Sequence, residues 1–163
     1  MNVDFINPFV ASIAEILNTM ASMTVEQQKP FLKHGEQPLG PVSAIIPMRG
    51  DTVHGSLAIS FSDSAILKIA SNMLGEEVTE LDDTCHNLTG EITNMLSGGA
   101  RKRLWEKGYN FDMAQPDLLD ASQPLVHHAK SPVVVIPFTT CAGDFYIEVA
   151  LAENFSRAEL SLS

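Results

Sequence analysis

Two residues in the stretch LTGEITNMLSGG, residues 88–99, have types and a spacing that could do chemistry. Glu91 offers a carboxylate, a charged acceptor. Asn94, three residues later, offers an amide that both donates and accepts. Three residues is close to one helical turn, so on a helix the two side chains leave the same side. The stretch also holds Gly90, Gly98 and Gly99. A glycine inside a helix costs about 0.8–1 kcal/mol relative to alanine. A Glu and an Asn at this spacing occur on many solvated helix faces; the glycines set this one apart. Small residues around two protruding polar ones shape a surface that something can approach closely.

The surrounding pattern predicts a long helix over residues 80–107, ending before Gly108. Leu88, Ile92, Met95, Leu96, Gly99 and Leu104 fall on one side and are expected to face a sheet. Asn87, Glu91, Asn94 and Gly98 fall on the other, at spacings of four, three and four. Close packing on the sheet would explain Gly99, whereas Gly90 and Gly98, with Ser97, belong to the outer surroundings of the polar pair.

The other elements follow from periodicity and breakers. Asn7-Pro8 reads as a helix cap and first position, followed by an apolar face of Phe9, Val10, Ile13, Ile16, Leu17 and Met20. Residues 26–41 read as loop. Val42, Ala44, Ile46 and Met48, then Leu57, Ile59 and Phe61, alternate about an Arg49-Gly50-Asp51 turn, a hairpin packed on one side. Ser62 caps a short helix to about Leu74, with Ile66, Ile69, Ala70, Met73 and Leu74 inward, and Gly75 stops it. Residues 109–130 are mixed and hold one or two short strands. SPVVVIPFTT, a turn at residues 141–144, and the alternation Phe145, Ile147, Val149, Leu151 make a second hairpin. The last dozen polar residues are expected to fray. The order is helix, hairpin, helix, then helix, extra segment, hairpin. This suggests two copies of a helix-plus-hairpin unit in one α+β domain spanning residues 1–163. An antiparallel sheet would carry the two long helices on one face.

Ten Lys and Arg against twenty Asp and Glu leave a net charge of -10. Nucleic acid and anionic membrane are therefore poor partners. Cys85 and Cys141 form no disulfide framework, which fits a cytoplasmic location. The acidic N-terminus reads as no signal peptide, and no apolar run approaches a membrane span. Without secretion, the RGD tripeptide is a turn. Cys85-His86 and His127-His128 lack a second pair at ligand spacing, so no metal is expected and surface histidines are the better reading. No glycine-rich phosphate loop joins a strand to a helix. Trp105 and the methionines read as core or partner interface.

With these residues in view, the chain resembles the CheX branch of the CheC/CheX/FliY family of bacterial chemotaxis phosphatases. GEITN supplies Glu91 and Asn94, and FDMAQP supplies Pro116 at the family's spacing. The likeness extends through MNVDFINPF, ILKIASNMLGEE, NMLSGGARKRL, EKGYNFDMA and VVVIPFTTCAGDFYIEV. It implies hydrolysis of the aspartyl phosphate on a CheY-type response regulator. Glu91 and Asn94 would be the catalytic pair, with Asn87, Gly98 and Pro116 in support. Asn87 departs from the Asp or Ser usual four residues before the Glu, and modulation is expected there. No cofactor of the chain's own is implied, since the partner would supply Mg²⁺. A homodimer is implied, joined through residues 109–132, a segment with no evident hairpin partner in its own chain.

AEILN places Glu15 and Asn18 in the same relation on the first helix. Some relatives use two such sites, but those of CheX type are expected to use only the second. Ala11 and the missing Pro at the matching distance favour a solvated relic of duplication at Glu15 and Asn18, and a working second site there stays open as the alternative. Two rival readings stay open: a receiver-docking module without catalysis, and a structural part of the flagellar or chemoreceptor apparatus. The substrate regulator and the behaviour controlled are not legible.

Overall fold

The structure, a computed structural model, describes residues 3–153. Helix α1 (Val3–Ala21) is followed by two short strands, β1 (Glu26–Gln27) and β2 (Phe31–Lys33), and a hairpin of β3 (Val42–Gly50) and β4 (Val53–Phe61). Helix α2 (Asp63–Leu74) links this half to the next. Helix α3 (Asp83–Glu106) is again followed by two short strands, β5 (Phe111–Met113) and β6 (Asp117–Asp120), and a hairpin of β7 (Val133–Thr140) and β8 (Gly143–Glu153).

The strands form one antiparallel sheet in the order β1-β7-β8-β4-β3-β5, with β2 also on β7 and β6 also on β3. The two hairpins meet at the centre, where β4 and β8 pair from Val53↔Glu153 to Phe61↔Phe145. Each half sends its short strands across to the other half's hairpin: β1 and β2 to β7, β5 and β6 to β3. The α+β fold and its repeated helix-plus-hairpin unit are therefore as the sequence predicts. One face of the sheet, with Ile46, Leu57, Ile59, Ile136, Phe145 and Ile147, packs against all three helices. Burying each such side chain contributes about 1.5–3 kcal/mol, and Phe138 stacks on Phe145 at 4.8 Å.

Several local expectations are corrected. Pro8 lies inside α1, so Asn7 is no cap. Burial overrides the local stop signal: Phe5 joins the core and packs on Tyr109 at 4.7 Å, drawing the helix back by more than a turn. The buried stripe is Phe5, Phe9, Ile13, Leu17 and Ala21, a strict four-residue spacing that leaves Met20 exposed. Leu74, at the end of α2, is also exposed. The caps of α2 are as expected: Ser62 accepts from the Ala65 N–H, and Gly75 takes the left-handed conformation at φ 71°. The stretch read as loop, residues 26–41, holds β1 and β2. The segment after α3 does find partners in its own chain, because β5 and β6 both pair with β3. The sequence argument for a dimer through an unpaired segment therefore falls. The frayed tail lies almost wholly outside the described residues.

The sheet is covered on its second face as well. Ile45, Ala58 and Leu125 form a small apolar cluster there. Around it lies a buried polar chain. Lys33 Nζ pairs with Glu148 at 3.0 Å, both side chains almost fully buried. His127 Nε2 lies 3.0 Å from Glu148 Oε1, and its Nδ1 lies 2.7 Å from Ser56 Oγ. Ser43 and Ser60 bond to each other at 2.8 Å. The serines and glutamate that alternate along β3, β4 and β8 thus face a covering strap from residues 121–130, not water. His127 is correspondingly buried, contrary to the surface reading, because the strap turns it onto the sheet.

Candidate active site

Helix α3 begins at Asp82, whose carboxylate accepts from the Thr84 N–H at 3.0 Å. Leu88, Ile92, Leu96 and Leu104 hold one side on the core. Thr89 and Thr93 are buried beside them and return their hydroxyls to the carbonyls of Cys85 and Thr89, at 2.8 and 2.7 Å. These packed flanks leave only one stripe open. Asn87, Glu91, Asn94 and Gly98 are all exposed on it. The sequence-predicted pair is therefore brought together on a rigid helix and turned outward.

The three glycines have three different reasons. A Cβ on Gly98 would meet nothing within 4 Å. Its smallness keeps the surface beyond Asn94 low. Gly90 is buried, contrary to the outer-face reading: a Cβ there would come within 3.0 Å of Leu118, because β6 lies against α3. Gly99 packs on α1 and not on the sheet, with Ser12 Oγ 2.9 Å from where its Cβ would stand. Ser97 is also buried, and its hydroxyl donates to the Asn94 carbonyl at 3.0 Å. Pro116 is half-buried in the link between β5 and β6, two residues before Leu118.

The first-helix pair has a different setting. Glu15 and Asn18 are exposed, but Glu15 is held by Arg103 of α3 at 2.7 Å. Arg103 also donates to Ser12 Oγ at 2.9 Å. A groove of about 500 Å³ lies between α1 and α3 here, lined by Glu15, Met20, Met95 and Arg103 among others.

Two ionisable groups near α3 are displaced from their ordinary range. Hydrogen bonds from the Ser122 hydroxyl and N–H hold the Asp120 carboxyl low, and the nearby His86 adds to this. Burial, with the adjacent Asp82 charge, pushes the Cys85 thiol up. Among the described residues no group of three His, Cys, Asp or Glu could hold a metal ion. Ser56, His127 and Glu148 have the residue types of a hydrolytic triad. Ser56 is fully buried, however, and its oxygen also accepts the His128 N–H at 3.1 Å, so the chain of bonds fastens the strap. No local signal in the sequence announces this cluster, since Lys33 comes from a stretch that reads as loop and His127 from the mixed segment 109–130.

The family described as chemotaxis phosphatase CheX matches residues 42–139, more than half of the chain. The chain belongs to the CheX family. Membership makes it a phosphatase, a hydrolase in class. The match takes in Asn87, Glu91, Asn94, Gly98 and Pro116, and leaves out α1 with Glu15 and Asn18. A CheC-like superfamily protein from Shewanella sp. PV-4 is 41% identical, with a TM-score of 0.86 over 93% of this chain and 99% of that one. A relative named CheY-P phosphatase CheX, from Thermotoga maritima, is 29% identical over 73% of this chain and 77% of its own. The CheX–CheY–BeF₃–Mg²⁺ complex from Borrelia burgdorferi gives a match 25% identical, with a TM-score of 0.74 over 93% of this chain and 100% of that one. The CheX family likeness thus spans nearly the whole described fold. No helix among the described residues is long and apolar enough to cross a membrane.

The exposed stripe of α3 does not stop at Gly98. Arg101 and Trp105 continue the same three-and-four spacing, and Trp105 is 64% exposed. Of the two sequence readings of Trp105, core or partner interface, this exposure excludes core, and the unbroken spacing from Asn87 is the signal that places it.

Proposed function

We propose that this CheX-family chain hydrolyses the aspartyl phosphate of a CheY-type response regulator. The observation that carries this is the pair Glu91 and Asn94, both exposed on one turn of α3, with Gly98 open beside them. The relatives named as a CheY-P phosphatase and as part of a complex with CheY point to the same substrate class.

Phosphoryl transfer asks for positioning and charge neutralisation more than for a protein nucleophile. The receiver would bring its own phosphoryl group, Mg²⁺ and Lys. What remains is to hold one water in line with phosphorus. The Asn94 amide can accept from that water and donate to it or to a phosphoryl oxygen. A carboxylate in its place would face those oxygens with like charge. Glu91 carries the charge instead, and pairs with the receiver's Lys in a charge-assisted contact that sets the register of docking. The water oxygen bonds to phosphorus as the bond to the aspartyl oxygen breaks. The products are the receiver's free carboxylate and inorganic phosphate, which keeps the water's protons. Ordering one water supports a rate gain of about tens to thousands fold. Asn87, one turn before Glu91, and Pro116, in the link between β5 and β6, are assigned supporting roles. The chain works in the cytoplasm, where receivers are, as one domain, with no cofactor of its own. A homodimer remains part of this proposal on the family resemblance alone.

The test is phosphate release from a receiver phosphorylated with acetyl phosphate, at substoichiometric chain. Catalytic acceleration that disappears in Asn94→Ala supports the assignment. Binding of the phosphorylated receiver without acceleration favours the docking-module reading, with Asn87 as its first suspect.

A further inference from the structure

We infer that Trp105 is a second anchor for the phosphorylated receiver, one that docks it while Asn94 and Glu91 act on its phosphoryl group. This rests on the phosphatase reading above. Stepping 100° per residue around α3, Asn87, Glu91, Asn94, Gly98, Arg101 and Trp105 fall within an arc of roughly 80°. Trp105 is eleven residues beyond Asn94, roughly 16 Å along the axis at 1.5 Å per residue. A compact domain of 100–150 residues is roughly 30 Å across. One receiver seated on Asn94 therefore reaches Trp105 without a second contact being needed elsewhere.

Three observations commit the surface to that occupant. Trp105 is the chain's one tryptophan, and it is 64% exposed on a helix whose opposite side is fully packed. A large ring in water gives up burial that a partner would recover, and tryptophan, with tyrosine and arginine, is enriched among binding hot spots. The ground between the two anchors is kept clear, because Gly98 has nothing within 4 Å of its missing Cβ. Beside the ring, Gly98, Arg101, Lys102 and Asn110 join Trp105 around a cleft of about 310 Å³. Arg101 pairs with the well-exposed Asp112, at 3.8 Å, and Lys102 is its neighbour in the chain. In a chain of net charge -10, this is a local cationic rim. It suits the acidic surface that surrounds a Mg²⁺-binding phosphorylation site.

The tryptophan supplies its own assay. A tryptophan-free receiver variant, loaded with beryllofluoride and Mg²⁺, is titrated into the chain while emission is followed. The expected result is a blue shift that saturates with binding measured independently by calorimetry. In steady-state phosphate release, Trp105→Ala is expected to raise KM tenfold or more with kcat within about twofold. Trp105→Phe recovers most of the loss. Phe31→Ala, which removes an exposed ring at the far edge of the sheet, leaves KM unchanged. Binding and turnover with no shift in emission and no change in KM would overturn the anchor alone. An emission shift that follows the chain's own concentration would assign Trp105 to self-association and overturn it too. A wild-type chain that neither binds nor hydrolyses the receiver would overturn the phosphatase reading first, and the anchor with it.

Discussion

Helices α1 and α3 occupy matching places in the two halves of the fold, and both show a Glu and an Asn three residues apart toward solvent. Their surroundings differ. Glu91 lies free of ion pairs among the described contacts, whereas Glu15 is gripped by Arg103 at 2.7 Å. Beyond Asn94, α3 runs on for three more turns and keeps an open stripe to Trp105. Beyond Asn18, α1 stops at Ala21, and Ser22 turns the chain away at φ 52°. A docking site needs more than the motif: it needs an uncommitted charge and enough helix to seat a partner.

The comparison is broken most decisively at the amides. Asn94→Ala is expected to slow receiver dephosphorylation by about 100-fold or more, with receiver affinity within a few fold, because only the ordered water is lost. Asn18→Ala should stay within twofold of wild type. Phosphate release from both variants, beside calorimetric binding, checks this. Equal losses from the two would show that the halves work alike. The carboxylates come next. Glu91→Ala removes a charge-assisted contact of about 1.5–3 kcal/mol, so kcat/KM should fall by about ten- to a hundredfold, with binding weakened as well. Glu15→Ala removes only a half-exposed ion pair, worth at most about 1 kcal/mol of stability, and leaves turnover alone.

The glycines sharpen the contrast between the docking stripe and the packed flank. Gly98→Ala adds a methyl group to open space and gains helix propensity, about 0.8–1 kcal/mol, or about 2–4 °C in Tm. Gly99→Ala drives a Cβ to 2.9 Å from Ser12 Oγ and 3.2 Å from its Cβ, so Tm should fall. Gly98→Leu keeps the higher Tm but stands between Asn94 and Trp105, and should raise KM. Thermal melts and receiver kinetics on the three variants separate the two kinds of glycine.

How much of this was legible depends on whether one element or two set the outcome. The four-three-four spacing placed Asn87, Glu91, Asn94 and Gly98 on one face, and they are there, since helical geometry alone decides it. The hairpins and the repeated unit were legible for the same reason: period two is a local property. Gly90 was misread because its burial depends on Leu118, from a strand 28 residues away that no local pattern aims at α3. Likewise, the alternating serines of β4 and Glu148 of β8 looked solvated. Only the strap, with His127 landing between Ser56 and Glu148, makes that face an interior. Trp105 lies on the same periodic stripe, but composition alone leaves a lone aromatic open to core or partner interface, and only its exposure on the folded helix excludes the core.

The smallest effect on turnover is expected at Arg103, and it asks whether α1 is a site held shut or no site at all. Arg103→Ala frees Glu15 and leaves Ser12 without its donor, for a cost of about 1–2 kcal/mol that a melt would read as a few degrees. Phosphate release should not change, and in an Asn94→Ala background it should not return. Releasing the carboxylate does not lengthen α1: the chain still turns away after Ala21, so a receiver seated on Asn18 has no helix to lie along. Turnover regained in the double variant, and lost again on adding Asn18→Ala, would reverse the conclusion. The Arg103–Glu15 pair would then be a latch on a second site, and the length of α3 would count for less than the charge that Arg103 neutralises.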